Sequence, residues 1–285
     1  MRPVSIVGCG YLGLRLVRRW RDLAHPVRGF AARPQSLDNI AAAGAEAVQL
    51  DLDGPPTPVE LSGDLLYYLV PPARDGARDR RLERFLGELK GPVERLIYVS
   101  TTGVYGDRAG AMVNEDTPPA PRSERAVRRL AAENALRGWA DALGLSWCIL
   151  RVPGIYGPGR LPLERLRRGE PAIHPWEAMP GNRIHVEDLA TACLAAARAV
   201  RADRRIFNVT DGTDDSPTSY LQRVARIGNL APPPLISRAE ARARSSDSSW
   251  SFLGESRRID NRRMREELGV TLAYHDLDAG IRASL

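Results

Sequence analysis

The sequence predicts an α/β fold: a doubly wound parallel sheet carrying a small C-terminal substrate cap. Three observations predict it. Short β-branched or apolar runs alternate with amphipathic helical patterns up to Arg151, as in a parallel sheet covered by helices on both faces. A glycine-rich turn follows the first apolar run. After Arg151 the pattern becomes irregular, with Pro and Gly punctuating 152–181 and Pro232-Pro233-Pro234 breaking the chain again.

The first expected strand, Pro3–Val7, runs into Gly8-Cys9-Gly10-Tyr11-Leu12-Gly13. A helix over Leu12–Leu23 follows, with Leu12, Leu16, Val17 and Trp20 at helical spacing. Strand, GxGxxG and helix in that order form the dinucleotide turn of a Rossmann sheet. Gly8 permits the tight turn, Gly10 lets a pyrophosphate approach the backbone, and Gly13 lets helix pack closely on strand. The helix N-terminus offers free N–H groups and its positive dipole end to the phosphates. All six residues from Gly8 to Gly13 are therefore candidate cofactor contacts.

The second strand, Val27–Ala31, leads through Ala32-Arg33 to a helix over Ser36–Ala42. An NAD-preferring site places Asp or Glu near this point, about 20 residues past the glycine turn. Arg33 stands there instead. A guanidinium suits a 2′-phosphate through charge-assisted hydrogen bonds, so NADP(H) is favoured over NAD(H). After the third strand, Ala47–Leu50, Asp51-Leu52 lies where an adenine edge could be read. Asp51 is equally suited to a turn or a cap. The remaining strands are Asp64–Val70, Arg95–Ser100, Ser146–Arg151 and Ile206–Val209. The remaining helices are Arg78–Lys90, Ser123–Leu143, Val186–Val200 and Thr218–Gly228. Residues 1–151 then form the dinucleotide-binding core. Residues 152–285 form the cap, interleaved with core elements that return over 186–210. A polar stretch covers Ser245–Ser251.

Composition narrows the function classes. The net charge is +6 and Lys90 is the one lysine among 41 Lys and Arg residues. The positive charge is spread over many helices and is not gathered into a tail or an aromatic-lined patch, so nucleic-acid binding is not expected. Cys9, Cys148 and Cys193 have neither CxxC spacing nor an even count, which excludes a disulfide framework and a zinc site and indicates a reducing compartment. No stretch approaches the roughly 20 apolar residues of a membrane span, and the N-terminus lacks the apolar core of a signal peptide. The expectation is a cytoplasmic protein with a small-molecule substrate, without metal or membrane partner. It is monomeric, or homodimeric through the helices Arg78–Lys90 and Ser123–Leu143.

A longer run of motifs resembles a known family. Tyr98-Val99-Ser100-Thr101-Thr102-Gly103-Val104-Tyr105-Gly106-Asp107 is similar to the "VSS…VYGD" segment of extended short-chain dehydrogenases/reductases, the group that includes nucleotide-sugar epimerases and dehydratases. Asn114 to Pro118 resembles its "nEdtP" turn. Leu150-Arg151-Val152-Pro153-Gly154-Ile155-Tyr156-Gly157-Pro158-Gly159-Arg160 resembles its "LRxxxxYGPGR". Asn182 to Ala190 resembles its "rxIHVdDlA", and Phe207-Asn208-Val209 its "yNv". The matches cover roughly residues 1–210, and the C-terminal quarter matches loosely.

The resemblance implies roles residue by residue. The catalytic strand-end hydroxyl falls on Thr101, which could donate to a substrate carbonyl as its oxygen gains charge. Pro153, Gly154 and Tyr156 fall at the nicotinamide pocket. Val70 and Ser100 fall among the cofactor contacts at the ends of their strands. The family's Tyr-x-x-x-Lys pair falls on Arg125 and Arg129, and residues 122–132 contain no tyrosine. Arginine stays protonated and cannot be a general acid near neutral pH. Arg129 could still hold the nicotinamide ribose. Arg125 and Arg129, four residues apart on one helical face, could clamp an anion. Proton transfer would then fall to Thr101 with water, Tyr105, Tyr156 or a histidine. His174 in the cap is the candidate facing substrate, whereas His185 is expected to be structural.

Three functions compete. The first is NADP(H)-dependent reduction of a small carbonyl or imine substrate, with an anionic substrate suiting the arginines. Hydride transfer rests on positioning and electrostatics and tolerates loss of the tyrosine best. The second is a nucleotide-sugar epimerase or dehydratase. The third is a non-catalytic dinucleotide-binding sensor or regulator.

Overall fold

The computed structural model describes residues 2–246, 249–250 and 254–285. Of the polar stretch expected at Ser245–Ser251, residues 247, 248 and 251 lie outside the described residues.

Among the described residues, seven parallel strands make one sheet: β1 Val4–Val7, β2 Val27–Ala31, β3 Glu46–Gln49, β4 Asp64–Tyr68, β5 Val93–Thr101, β6 Ser146–Val152 and β7 Arg205–Asn208. Their order is β7-β6-β5-β4-β1-β2-β3. The order reverses between β1 and β4, so their carboxyl ends open a crevice there, where ligands of such sheets bind. The helices are α1 Gly13–Asp22, α2 Pro34–Ala42, α3 Arg80–Glu88, α4 Glu124–Ala142, α5 Leu163–Arg167, α6 Val186–Arg198, α7 Pro217–Ile227, α8 Arg238–Arg244, α9 Arg262–Glu267 and α10 Leu277–Arg282. The expected strands and longer helices are present, most of them within two residues of the expected ends.

The sheet has a core on each face. One gathers Leu16, Val17 and Trp20 of α1 with Leu189, Cys193 and Ala196 of α6. The other gathers Leu82, Phe85 and Leu86 of α3 with Ala132, Leu136 and Ala140 of α4. Each fully buried Leu or Phe contributes about 1.5–3 kcal/mol. Tyr67 of β4 threads polar groups through the first core. Its hydroxyl accepts from Trp20 Nε1 (3.1 Å) and donates to the Cys193 carbonyl (3.1 Å), joining α1, β4 and α6. Cys9, Cys148 and Cys193 are all buried free thiols. They act as small apolar side chains, and burial pushes the Cys9 and Cys148 thiols up to about 12.

The expected helix Arg78–Lys90 is shorter than its apolar period suggested. Asp79 caps it by accepting from the Leu82 N–H (3.1 Å). Leu89–Lys90 instead pairs with Val59–Glu60 in a small parallel ladder. The third strand also ends at Gln49, one residue early.

Past β6 the chain builds a third apolar cluster from Tyr156, Leu166, Ala172, Leu221, Val224, Leu277 and Ile281. Two-residue and three-residue parallel ladders stitch it to the core. Gly154–Tyr156 pairs with Arg183–His185, and Ala172–Ile173 pairs with Leu235–Ile236. Met112–Val113, from the loop after β5, pairs with Arg258–Ile259 near the C-terminal end. No described helix is long and apolar enough to cross a membrane. No group of side chains suited to holding a metal is present among the described residues.

Candidate functional site

Two clefts open at the carboxyl edge of the sheet. The first, about 440 Å³, lies over the glycine turn between the ends of β1, β2, β3 and β4. Gly8 has φ +87°, and a Cβ on it would stand 2.8 Å from Val70 Cγ2 and 2.9 Å from the Val70 nitrogen. Only glycine fits that turn. Gly10 is exposed, with nothing within 4 Å of where its Cβ would be. Its backbone therefore lies open to a ligand. At Gly13 a Cβ would meet Cys9, Gly8 and Ile6 atoms at 3.3 Å, so helix packs hard on strand. Helix α1 begins with no side-chain cap on Leu12; its Leu14 and Arg15 N–H groups bond the Gly10 and Leu12 carbonyls (2.9 and 3.0 Å), and its positive dipole end stands at the turn. The residues present fit a dinucleotide pyrophosphate.

The far end of this cleft carries Arg33, exposed at the N-cap of α2, and Ser36 one turn further on. Arg33 has no ion-pair partner among the described residues. Asp51 lines the cleft, but its Oδ1 accepts from the Asp53 N–H at 3.0 Å, so it is also a turn residue. Asp53 and Arg81 line it too. Arg81 Nε donates to Asp53 at 2.8 Å and Nη1 donates to the Pro71 carbonyl at 3.1 Å. Their pairing holds the Asp53 carboxyl below its usual range. Sequence reasoning missed Phe30, Ser36, Asp53 and Arg81. Ser36 and Asp53 were within reach, each lying three or fewer residues from a named candidate. Arg81 comes from α3 and gave no local signal.

Gly8, Cys9, Gly10, Arg33, Asp51, Leu52 and Val70 thus come together, whereas Tyr11, Leu12 and Gly13 lie behind the turn. The Tyr11 ring sits between two guanidinium groups, Arg15 and Arg160, each 4.2 Å from its centroid, and its hydroxyl donates to the Pro158 carbonyl (3.0 Å). It joins the glycine turn to the loop entering the cap.

The second cleft, about 490 Å³, lies between the ends of β5 and β6 and the cap. Thr101, Gly103, Arg125, Pro153 and Gly154 form its core wall. Thr101 Oγ1 accepts from the Gly103 N–H (3.1 Å). One lone pair is used, and the hydroxyl proton is left to donate. Arg125 is half-buried at the N-terminal end of α4. Burial lowers its pKa, with Glu255 opposing. The cap wall brings Arg165, Arg183, Arg244 and Arg257 against Glu170 and Glu255. With Arg125, five guanidinium groups face two carboxylates, which gives the cleft a positive field.

Several expectations fail here. Arg125 and Arg129 do not form one clamp. Arg129 turns back to the sheet, its Nη1 donating to the Tyr98 hydroxyl (3.0 Å) and the Val99 carbonyl (3.3 Å) and lying 3.5 Å from the Val70 carbonyl. It lines neither cleft, and of its acceptors only Val70 borders the first. Tyr105 is fully buried, its hydroxyl donating to Asn208 Oδ1 (2.8 Å) and its ring under the Arg151 guanidinium. Ser100 is buried and donates to Glu133, which also takes Arg151 Nη2 at 2.7 Å. Tyr156 belongs to the cap core, edge-on to His185 and against Gly280. Burial pushes the Tyr105 and Tyr156 hydroxyls up, so neither is an acid for a substrate. His174 stacks on the exposed Trp176 (centroids 4.4 Å apart) and does not line the cleft. His185 caps α6, accepting from the Glu187 N–H (3.2 Å). Arg129, Tyr105, Ser100 and Tyr156 are taken up by partners from distant parts of the chain, which their neighbours in sequence do not encode.

This geometry agrees with known proteins. Residues 80–210 match the model of the NAD dependent epimerase/dehydratase family. That segment, from α3 through β7, carries the likeness to this family. The whole chain is similar to "Protein YeeZ" of Escherichia coli K12, 28% identical over 290 residues and covering 97% of each chain. Its fold is similar to that of a functionally unknown conserved protein from Silicibacter pomeroyi, with a TM-score of 0.79, 28% identity and coverage of 99% and 98%. It is also similar to UDP-glucuronic acid 4-epimerase from Bacillus cereus, solved in complex with UDP-glucuronic acid and NAD. There the TM-score is 0.75 over 99% and 97% of the chains, at 17% identity, a likeness of fold. A Rossmann-type fold like that of the epimerases is thus common ground with these neighbours.

Proposed function

We propose that this protein is an NADP(H)-dependent oxidoreductase that reduces a small carbonyl or imine substrate in the second cleft. The observation that carries this reading is Arg33 with Ser36 at the end of the first cleft, without a carboxylate at the tip of β2. A guanidinium and a hydroxyl there suit a ribose 2′-phosphate.

When bound, the nicotinamide supplies the hydride. The chain's own residues do the rest. The glycine turn and the α1 N-terminus hold the pyrophosphate. Arg129, anchored at Tyr98 and Val99 and near Val70 of the first cleft, would hold the nicotinamide ribose. Thr101 donates a hydrogen bond to the substrate oxygen or nitrogen, stabilising the charge that develops there. Arg125 adds a fixed positive charge on the same wall. Neither Arg125 nor Arg129 can release a proton near neutral pH, so water supplies it.

The test is a titration with NADPH and NADH, followed by nicotinamide fluorescence and melting temperature, before and after Arg33→Ala. NADPH preference that disappears in the variant supports the cofactor reading. Equal binding of both nucleotides, unchanged by the variant, removes it. With the cofactor settled, Thr101→Val should lower kcat about tenfold to a hundredfold on any carbonyl substrate turned over. The family domain favours a second reading, a nucleotide-sugar epimerase, which turnover of a UDP-sugar without net change in NAD(P)H would support.

A further inference from the structure

Four charged side chains line the first cleft: Arg33, Asp51, Asp53 and Arg81. Two of them cancel. Arg81 Nε donates to Asp53 Oδ1 at 2.8 Å and Nη2 donates to Oδ2, a two-point fork on one carboxylate. Nη1 donates to the Pro71 carbonyl at 3.1 Å, past the end of β4. All three guanidinium nitrogens are committed, and Arg81 ties the loop after β3 to the loop after β4. Arg84, one turn further along α3, also acts on Asp53 but donates to the Leu52 carbonyl (3.3 Å).

Arg81 does not serve its own helix. It stands in the first turn of α3, where the helix dipole opposes a cation. The Asp53 side chain is 58% exposed, so without Arg81 its carboxylate would face the cleft and solvent. The lining would then set one guanidinium against two carboxylates, a balance that repels an anionic group.

We propose that Arg81 is a specificity-determining residue for the cofactor: by neutralising Asp53 it keeps the first cleft open to a dinucleotide that carries a 2′-phosphate. The proposal rests on the reading of this cleft as the dinucleotide site, and it adds a second determinant to Arg33. Arg33 attracts the phosphate, and Arg81 removes a charge that would repel it. NADPH and NADH share the pyrophosphate, so a freed Asp53 acts on both there. The 2′-phosphate adds a charge of about −2 to NADPH alone.

The test measures NADPH and NADH affinities by nicotinamide fluorescence at low ionic strength and reads their ratio. Arg81→Met should move the ratio toward NADH about tenfold. Adding Asp53→Asn to Arg81→Met should return it to the wild-type value, because no carboxylate is left to mask. Asp53→Asn alone leaves Arg81 unpaired in the cleft and should move the ratio toward NADPH. It alters an exposed side chain, so it carries the test if Arg81→Met does not fold. At high ionic strength the Arg81→Met shift should shrink, as screening of exposed charges requires. An equal loss of both affinities in Arg81→Met would make Arg81 a brace for the loops and overturn the proposal. So would a shift that salt leaves unchanged, a ratio that the double variant fails to restore, or one that Asp53→Asn alone leaves unmoved. The wild-type ratio tests the cofactor reading separately. A wild type that favours NADH overturns that reading, while the shift between wild type and Arg81→Met still decides this one.

Discussion

The two clefts sit on the same sheet edge but are built in different ways. The glycine-turn cleft takes most of its wall from residues 7–53, with Val70 and Arg81 added. Its critical feature is a backbone conformation at Gly8. The cap cleft draws on segments from Thr101 to Arg257, and its critical features are side-chain charges. The first is a local device repeated wherever a dinucleotide must be held. The second depends on segments distant in sequence and can change its ligand without changing the sheet.

Four measurements would break or sharpen that contrast. The largest effect is expected at the support of the cap cleft. Glu133 and Arg151 are buried together beneath the ends of β5 and β6, at 1% and 3% exposure. Glu133→Ala leaves Arg151 charged and unpaired, and should lower unfolding free energy in denaturant titrations by about 3–5 kcal/mol. A change below 1 kcal/mol would show that this network is not what holds the wall. Next, Gly8→Ala forces a Cβ against Val70 and should weaken NADPH binding about a hundredfold, with strain of about 1–3 kcal/mol. Unchanged affinity by calorimetry would remove the glycine turn from the cofactor site.

A smaller effect is expected for Arg33→Ala, about tenfold in NADPH affinity and little in NADH affinity, as loss of one charge-assisted contact. The smallest concerns pH. Burial raises the Asp211 carboxyl from 3.8 to about 6. Its folded-state pKa lies above its unfolded value, so its stabilisation is fully present below pH 3.8 and is lost as pH rises through 6. Asp211→Asn should therefore match wild type near pH 4 and exceed it by about 1–2 kcal/mol at pH 7–8. A constant difference across that range would show that Asp211 does not titrate in the fold.

The sheet was largely readable from the sequence. A buried parallel strand needs a near-continuous apolar run, so Asp64–Tyr68 and Ser146–Val152 announce themselves. The glycine turn was readable because a positive φ and a close backbone approach leave glycine as the residue that fits. The elements past Arg151 were less legible. Helices α5, α9 and α10 are five or six residues long, too short to show a period, and the ladders there are two or three residues. The motif residues Ser100, Tyr105 and Tyr156 were found by resemblance and misassigned in role. Ser100 and Tyr156 lie on strands and Tyr105 in the 3-10 turn that follows β5, and all three side chains are buried.

By itself, then, the amino-acid sequence determined the α/β architecture, the dinucleotide turn and the basic residue that follows β2. Each rests on local rules of backbone sterics, apolar periodicity and the spacing of one βαβ unit. Tertiary structure alone decided that Arg129 turns away from Arg125 and that Arg81 closes the first cleft. It also decided that Arg183 is buried with its guanidinium over the Tyr220 ring. Those outcomes depend on which distant carbonyls, carboxylates and rings reach a side chain once the chain has folded back on itself, and spacing along the chain does not encode that.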